Sequence, residues 1–91
     1  MYILASRPRG ALCIGVTSDI ARRVWQHKTK AVKGHSARYG IDELVHVEVF
    51  GDAENAIRRE KAMKKWNRAW KMRLVEQDNP EWCDLYDTLL H

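Results

Sequence analysis

Cysteine is scarce: the 91-residue chain has two, Cys13 and Cys83, far apart and in no C-x-x-C pair. Neither a disulfide framework nor a zinc knuckle is expected, and a reducing cytoplasm is the simplest setting. No Pro/Gly/Ser-rich linker, low-complexity tract or internal repeat interrupts the chain. One domain over residues 1–91 follows. No apolar run approaches the ~20 residues of a membrane span. The opening Met1-Tyr2-Ile3-Leu4-Ala5-Ser6-Arg7 lacks the basic segment and longer apolar stretch of a signal peptide. A membrane partner is not expected. What is present is 45% hydrophobic and 31% charged residues, too apolar for a disordered tail. A domain this small buries about 60–65% of its unfolded surface.

The net charge of +4 is unevenly spread. Residues 54–73 hold eight bases (Arg58, Arg59, Lys61, Lys64, Lys65, Arg68, Lys71, Arg73) against Glu54 and Glu60. Residues 74–91 hold five acids and no Lys or Arg. The first 43 residues carry eight bases against Asp19, Asp42 and Glu43. A basic body with an acidic tail fits a polyanion partner such as nucleic acid. A solvated basic helix fits the same pattern.

Hydropathy patterning gives the element order ββαβα plus a C-terminal helical segment. Tyr2-Ile3-Leu4-Ala5 and Ala11–Val16 read as a hairpin around Arg7-Pro8-Arg9-Gly10, with Gly10 taking the positive φ. Thr17, Ser18 or Asp19 caps a helix ending near His27 or Lys28. The polar residues 29–43 read as a loop. Leu44–Phe50 reads as a third strand, with Val45, Val47 and Val49 on one apolar face. Asp52 is the next N-cap, before a helical pattern from Ala53 to about Val75, broken at most once. After Asn79-Pro80, a last short helix carries Trp82, Leu85, Tyr86 and Leu89 on one side. The fold class is α+β around a three-stranded sheet.

One acid is out of place. At about 100° per residue, Ala53, Ala56, Ile57, Met63 and Trp70 form an apolar stripe, and Glu60 falls inside it. A carboxylate there is costly unless it is paired or holds a metal. A Glu–Lys or Glu–Arg pair, or a place at the stripe's wet edge, also accounts for it. On the first helix Arg23 and His27 are four apart and share a face. An Arg to grip phosphoryl oxygens, a His to bond or protonate an oxygen and a Glu for a hard cation are what phosphodiester hydrolysis needs. A surface ion pair and a helix-end histidine are the plainer readings.

Three runs carry a resemblance. They are Tyr2-Ile3-Leu4 with Cys13-Ile14-Gly15-Val16-Thr17 and Asp19-Ile20-x-Arg22-Arg23-x-x-x-His27-Lys28; Ala56-Ile57-x-Arg59-Glu60-Lys61-x-x-Lys64-Lys65-Trp66-x-Arg68-x-Trp70-Lys71; and Asn79-Pro80-x-Trp82-x-Asp84-Leu85-Tyr86. Together they resemble the GIY-YIG nuclease superfamily, in its small stand-alone UvrC-like or UPF0213 branch. The resemblance implies a three-stranded antiparallel sheet flanked by helices. It implies a DNA endonuclease of repair or recombination, using one Mg²⁺ or Mn²⁺ held by Glu60. Tyr2 then holds or activates the attacking water, Arg23 binds phosphate, and His27 contacts phosphate or shares the proton. Cys13 and Gly15 stand at the second half-motif, Cys13 in place of its tyrosine, and Asn79 is a candidate for the family's later asparagine. Lys28, Lys30, Lys33, Arg38 and Lys64 are expected to track the nucleic-acid backbone without reading sequence. The alternative is a binding module of the same fold with weak or no catalysis, working with a protein partner or as a homodimer.

Overall fold

The structure is a computed structural model that describes residues 1–29 and 40–89. Three strands, β1 (Tyr2–Ala5), β2 (Leu12–Gly15) and β3 (Glu43–Val47), form an antiparallel sheet in the order β2-β1-β3. Helices α1 (Ile20–Lys28), α2 (Ala53–Lys64), α3 (Arg68–Asp78) and α4 (Tyr86–Leu89) complete the described chain. The α+β fold expected from the sequence is the one observed. Among the described residues no helix is long and apolar enough to cross a membrane.

Every residue of β1 is buried, because this central strand is covered on both faces. Its alternation divides the core. Tyr2 and Leu4 point to one side, where they meet Val24 of α1, Ile41, Leu44 and the flank of α4. Ile3 and Ala5 point to the other, where they meet Val45, Met63 of α2, and Met72 and Val75 of α3. The helices start where the sequence places caps. The Asp19 side chain accepts from Arg22 N, and Asp52 accepts from Asn55 N. The long helical pattern breaks once, after Lys64, and Asn67 caps the second piece by accepting from Trp70 N.

Four sequence expectations need correction. First, the positive φ of the hairpin turn belongs to Arg9 (57°), not Gly10. Glycine is needed at 10 for space: a Cβ there would lie 2.5 Å from Ser6 Oγ. The Arg68 guanidinium bonds the carbonyls of Arg9 and Gly10 and steadies the turn. Second, β3 is shorter than Leu44–Phe50, and its alternation fails. Ile3 pairs with His46 and Leu4 with Leu44, so Val45 is an extra, bulged residue. Val45 packs with the α2–α3 core, Val47 with the α1 side, and Val49 is 92% exposed. Third, within the α2–α3 stripe only Ala56 and Met63 are buried; Ala53, Ile57 and Trp70 are exposed. Fourth, Trp82 leaves the side of Leu85, Tyr86 and Leu89. At φ 55° it turns into the α2–α3 core, while the other three pack against the α1 side.

That last departure has a physical reason. Asn79 ends α3, and its amide donates to Val45 O (3.2 Å) and Cys83 O (2.9 Å) while its carbonyl accepts from Cys83 N (3.0 Å). These bonds hold residues 79–83 in a tight turn that drives Trp82 inward, and its indole N–H donates to Glu76 (2.8 Å). The next residues then seal the outer edge of β3. Asp84 Oδ1 accepts from Leu44 N, Leu85 N donates to Leu44 O, and Lys28 of α1 pairs with Asp84. An edge strand left bare would invite pairing with other chains.

Asn79→Ala removes three bonds at a buried site. It is expected to cost about 2 kcal/mol and to lower the thermal midpoint by about 10 °C, read by circular dichroism. An unchanged midpoint would show that the turn is held by packing alone.

Candidate functional site

With β3 sealed, β2 is the other outer strand of the sheet, and the predicted site residues gather beside it. Gly15 of β2 lies opposite Tyr2 of β1. A Cβ on Gly15 would stand 2.4 Å from the Tyr2 hydroxyl oxygen, so only glycine admits the phenol there. Arg23 of α1 donates from Nε to that oxygen (3.2 Å) and from Nη1 to Gln26 (3.4 Å). A guanidinium has five N–H donors, so donors remain that neither partner uses. Tyr2 is 3% exposed, so its hydroxyl serves Arg23 before it serves solvent. His27, one turn after Arg23, meets the Tyr2 ring edge-on at 6.2 Å between centroids.

Helix α2 brings the acid. The Glu60 side chain is 19% exposed, at the wet edge of the apolar stripe, and Lys64 one turn on lies 3.2 Å from its Oε1. Cys13, two residues before Gly15, links the two halves of the site. Its thiol is pushed up in pKa first by burial and then by Glu60, while Lys64 and Arg23 pull it down. The net rise leaves Cys13 protonated at neutral pH, so it is a packed strand residue and not a reactive thiolate.

Burial first, and the Arg23 guanidinium second, push the His27 imidazole below its ordinary value, against an opposing pull from Asp42. At neutral pH it is therefore uncharged. The unfolded chain takes up this proton more readily than the folded one. Stability from this residue is complete above the ordinary value of 6.5 and falls as the pH drops below it.

Two clefts share the loop between β2 and α1. One, about 310 Å³, is lined by Thr17, Asp19, Arg22, Arg23 and Gln26. The other, about 400 Å³, runs along the same loop to Glu48, Asp52 and Ala56, one turn before Glu60. Arg22 and Arg23 face the first cleft, while the charged residues of the second are the acids Glu48 and Asp52.

The remaining candidates stand elsewhere. Asn79 spends its amide on backbone in the turn after α3, away from Tyr2 and Arg23. Lys28 pairs with Asp84 and lies 5.3 Å over the Tyr86 ring. Lys30, Lys33 and Arg38 lie outside the described residues. Sequence reading missed one cluster. Glu48 receives His46 Nε2 at 2.8 Å and Arg59 Nε at 3.0 Å, and these bonds outweigh burial and hold its carboxyl below the usual range. The bulge at Val45 turns His46 toward α2, and no local pattern shows that.

As for a metal, no group of three or more His, Cys, Asp or Glu among the described residues could cage an ion. A single carboxylate at a wet edge, here paired with Lys64, is the kind of ligand a Mg²⁺-type cation takes, since that ion keeps most of its waters.

The GIY-YIG catalytic domain model matches residues 1–73. The chain belongs to the GIY-YIG nuclease family. It is 40% identical to a UPF0213 protein of Pectobacterium carotovorum, over 98% of this chain and 88% of the relative. It is 39% identical to one of Serratia proteamaculans (82% and 72%) and 34% identical to one of Yersinia enterocolitica (96% and 89%). No solved structure matches.

Two outcomes are expected. In His27→Gln, the fall in thermal midpoint between about pH 7.5 and 5.5 flattens relative to the parent; parallel curves would place the acid sensitivity elsewhere. With limiting iodoacetamide at neutral pH, peptide mass spectrometry finds the exposed Cys83 modified before the half-buried Cys13. Preferential labelling of Cys13 would overturn its reading as a packed thiol.

Proposed function

We propose that the protein is a metal-dependent endonuclease that hydrolyses phosphodiester bonds in DNA. The observation that carries this reading is the Arg23 guanidinium held by the Tyr2 hydroxyl over bare Gly15 of β2, with N–H donors left for an anion. Arg23 grips the phosphate through the N–H groups that Tyr2 and Gln26 leave over, in the bidentate geometry guanidinium favours. Its charge offsets the negative charge that builds on phosphorus as water attacks and the P–O bond breaks. Tyr2 holds the guanidinium at its angle and stands beside the water's path. Glu60 would hold one Mg²⁺ or Mn²⁺. Such an ion polarises the phosphoryl oxygen and stabilises the leaving oxygen when bound.

Lys64 pairs with Glu60 at 3.2 Å and would also offer its charge to a substrate phosphate. His27, uncharged and packed edge-on against the Tyr2 ring one turn after Arg23, would contact the phosphate or share the proton. The net charge of +4 and the cleft at Arg22 and Arg23 favour a polyanionic substrate. A domain of this size touches few base pairs, so the substrate is chosen by shape more than by sequence. Repair or recombination in the cytoplasm is the fitting setting.

A second reading, a nucleic-acid-binding module with little catalysis, draws on Cys13. A thiol is a weaker donor than the phenol it replaces and is protonated here.

Glu60→Ala is expected to lower Mg²⁺- or Mn²⁺-dependent cleavage of a single-stranded, duplex and branched DNA panel by at least roughly 100-fold, with the thermal midpoint held. EDTA should do the same to the parent. Parent-like cleavage by the variant would remove the metal role. Cys13→Tyr should raise the rate; an unchanged rate would make Cys13 packing only.

A further inference from the structure

The tryptophans divide into different environments. Trp82 is buried, Trp66 is half-buried, and Trp70 on α3 is 52% exposed. The described exposed large apolar side chains are Trp25, Val49, Ile57 and Trp70, and on α3 the half-buried Leu74 stands one turn after Trp70. It meets Trp66 edge-on, 6.0 Å between centroids at 82°. The Arg59 guanidinium lies over the Trp66 ring, 5.0 Å from its centroid. The two indoles form the floor and wall of an open groove of about 710 Å³ that also takes in Arg73, Leu74, Glu76 and Gln77.

The surroundings are cationic. Lys65, Arg68, Lys71 and Arg73 stand on or beside α3, all within the basic run. The one acid lining the groove, Glu76, is already engaged: it accepts from the Trp82 indole at 2.8 Å and faces Arg9 at 3.5 Å.

We propose that this groove binds unpaired bases of a single-stranded nucleic acid, with Trp70 as the stacking platform and Arg73 and Lys71 on the flanking phosphates. A flat exposed indole amid cations is what single-strand binding uses, since every base offers a π-face and every linkage a negative charge. A protein interface centres on a patch depleted in charge, whereas Arg73 lines this groove and Trp70 lies within the basic run of residues 58–73. The groove lies on the α2–α3 side of the sheet, so it is separate from the cleft at Arg23. The inference rests on the nucleic-acid part of the function proposed above and not on cleavage. It narrows the substrate to one with an unpaired segment.

The test is binding in EDTA, where no cleavage intervenes. Fluorescence anisotropy would follow a labelled oligothymidine of about 12 nucleotides, an abasic strand of equal length, and a duplex. Trp70→Ala should weaken oligothymidine binding by about 10-fold, while Trp70→Phe stays within about threefold. Neither change should affect the duplex or the abasic strand. Trp70 is exposed, and a thermal midpoint equal to the parent's confirms each variant's fold. Parent-like binding by Trp70→Ala, an equal loss on all three probes, or no oligothymidine binding by the parent would overturn the proposal. So would sedimentation showing that Trp70→Ala turns a dimer into a monomer, since the groove would then join two copies. Metal-dependent cleavage of duplex DNA would stand apart from each of these results.

Discussion

The Tyr2 hydroxyl occupies space that a side chain at position 15 would fill. That single exclusion ties the site to the sheet. Gly15 must be bare for β1 and β2 to pair in register with the phenol between them and α1. The phenol in turn accepts from Arg23 and receives the edge of His27. A guanidinium on a long flexible side chain loses much rotamer freedom when it grips an anion. Here part of that ordering is done in advance by an oxygen on the central strand. The site is therefore as rigid as β1, which is buried along its whole length.

The two edges of the sheet have opposite fates. The β3 edge is closed by Asn79, Asp84 and Leu85, with Lys28 fastening the closure to α1. The acidic tail segment thus has structural employment and is more than a counterweight to the basic body. The β2 side faces the charged groups of α1 and α2. Arg23, Lys64 and Glu60 all act on Cys13, whose thiol stays protonated among them.

Much of this was legible in the residues. Strands β1 and β2 and the caps Asp19 and Asp52 rest on local chemistry: alternation over a few residues, and a side chain that reaches an N–H three positions on. The place of Glu60 at the edge of a buried face was legible in part: the Glu–Lys pair the spacing allows is the one formed with Lys64, although Ala53, Ile57 and Trp70 of the stripe are exposed. What escaped depends on partners distant in sequence. The bulge at Val45 exists only relative to β1, and it undoes the even valine face expected of β3. Trp82 turns inward because Asn79 bonds Cys83 and Val45, an arrangement no helical wheel contains. The positive φ of Arg9 in place of Gly10 is steadied by Arg68, far along the chain. In the site, the role of Gly15 could be anticipated from the resemblance. The Arg23–Tyr2 bond and the pairing of Lys28 with Asp84 required the folded chain.

The central claim is that Tyr2 orients Arg23 for phosphodiester hydrolysis. Single-turnover cleavage of a branched DNA by the parent and by Tyr2→Phe, with Mg²⁺ and saturating protein, tests it most directly. The substitution removes one oxygen and leaves the buried ring in place. A rate lower by roughly 100-fold, with DNA affinity in EDTA and thermal midpoint little changed, is the expected result. Equal rates, or no metal-dependent product from the parent, would contradict it.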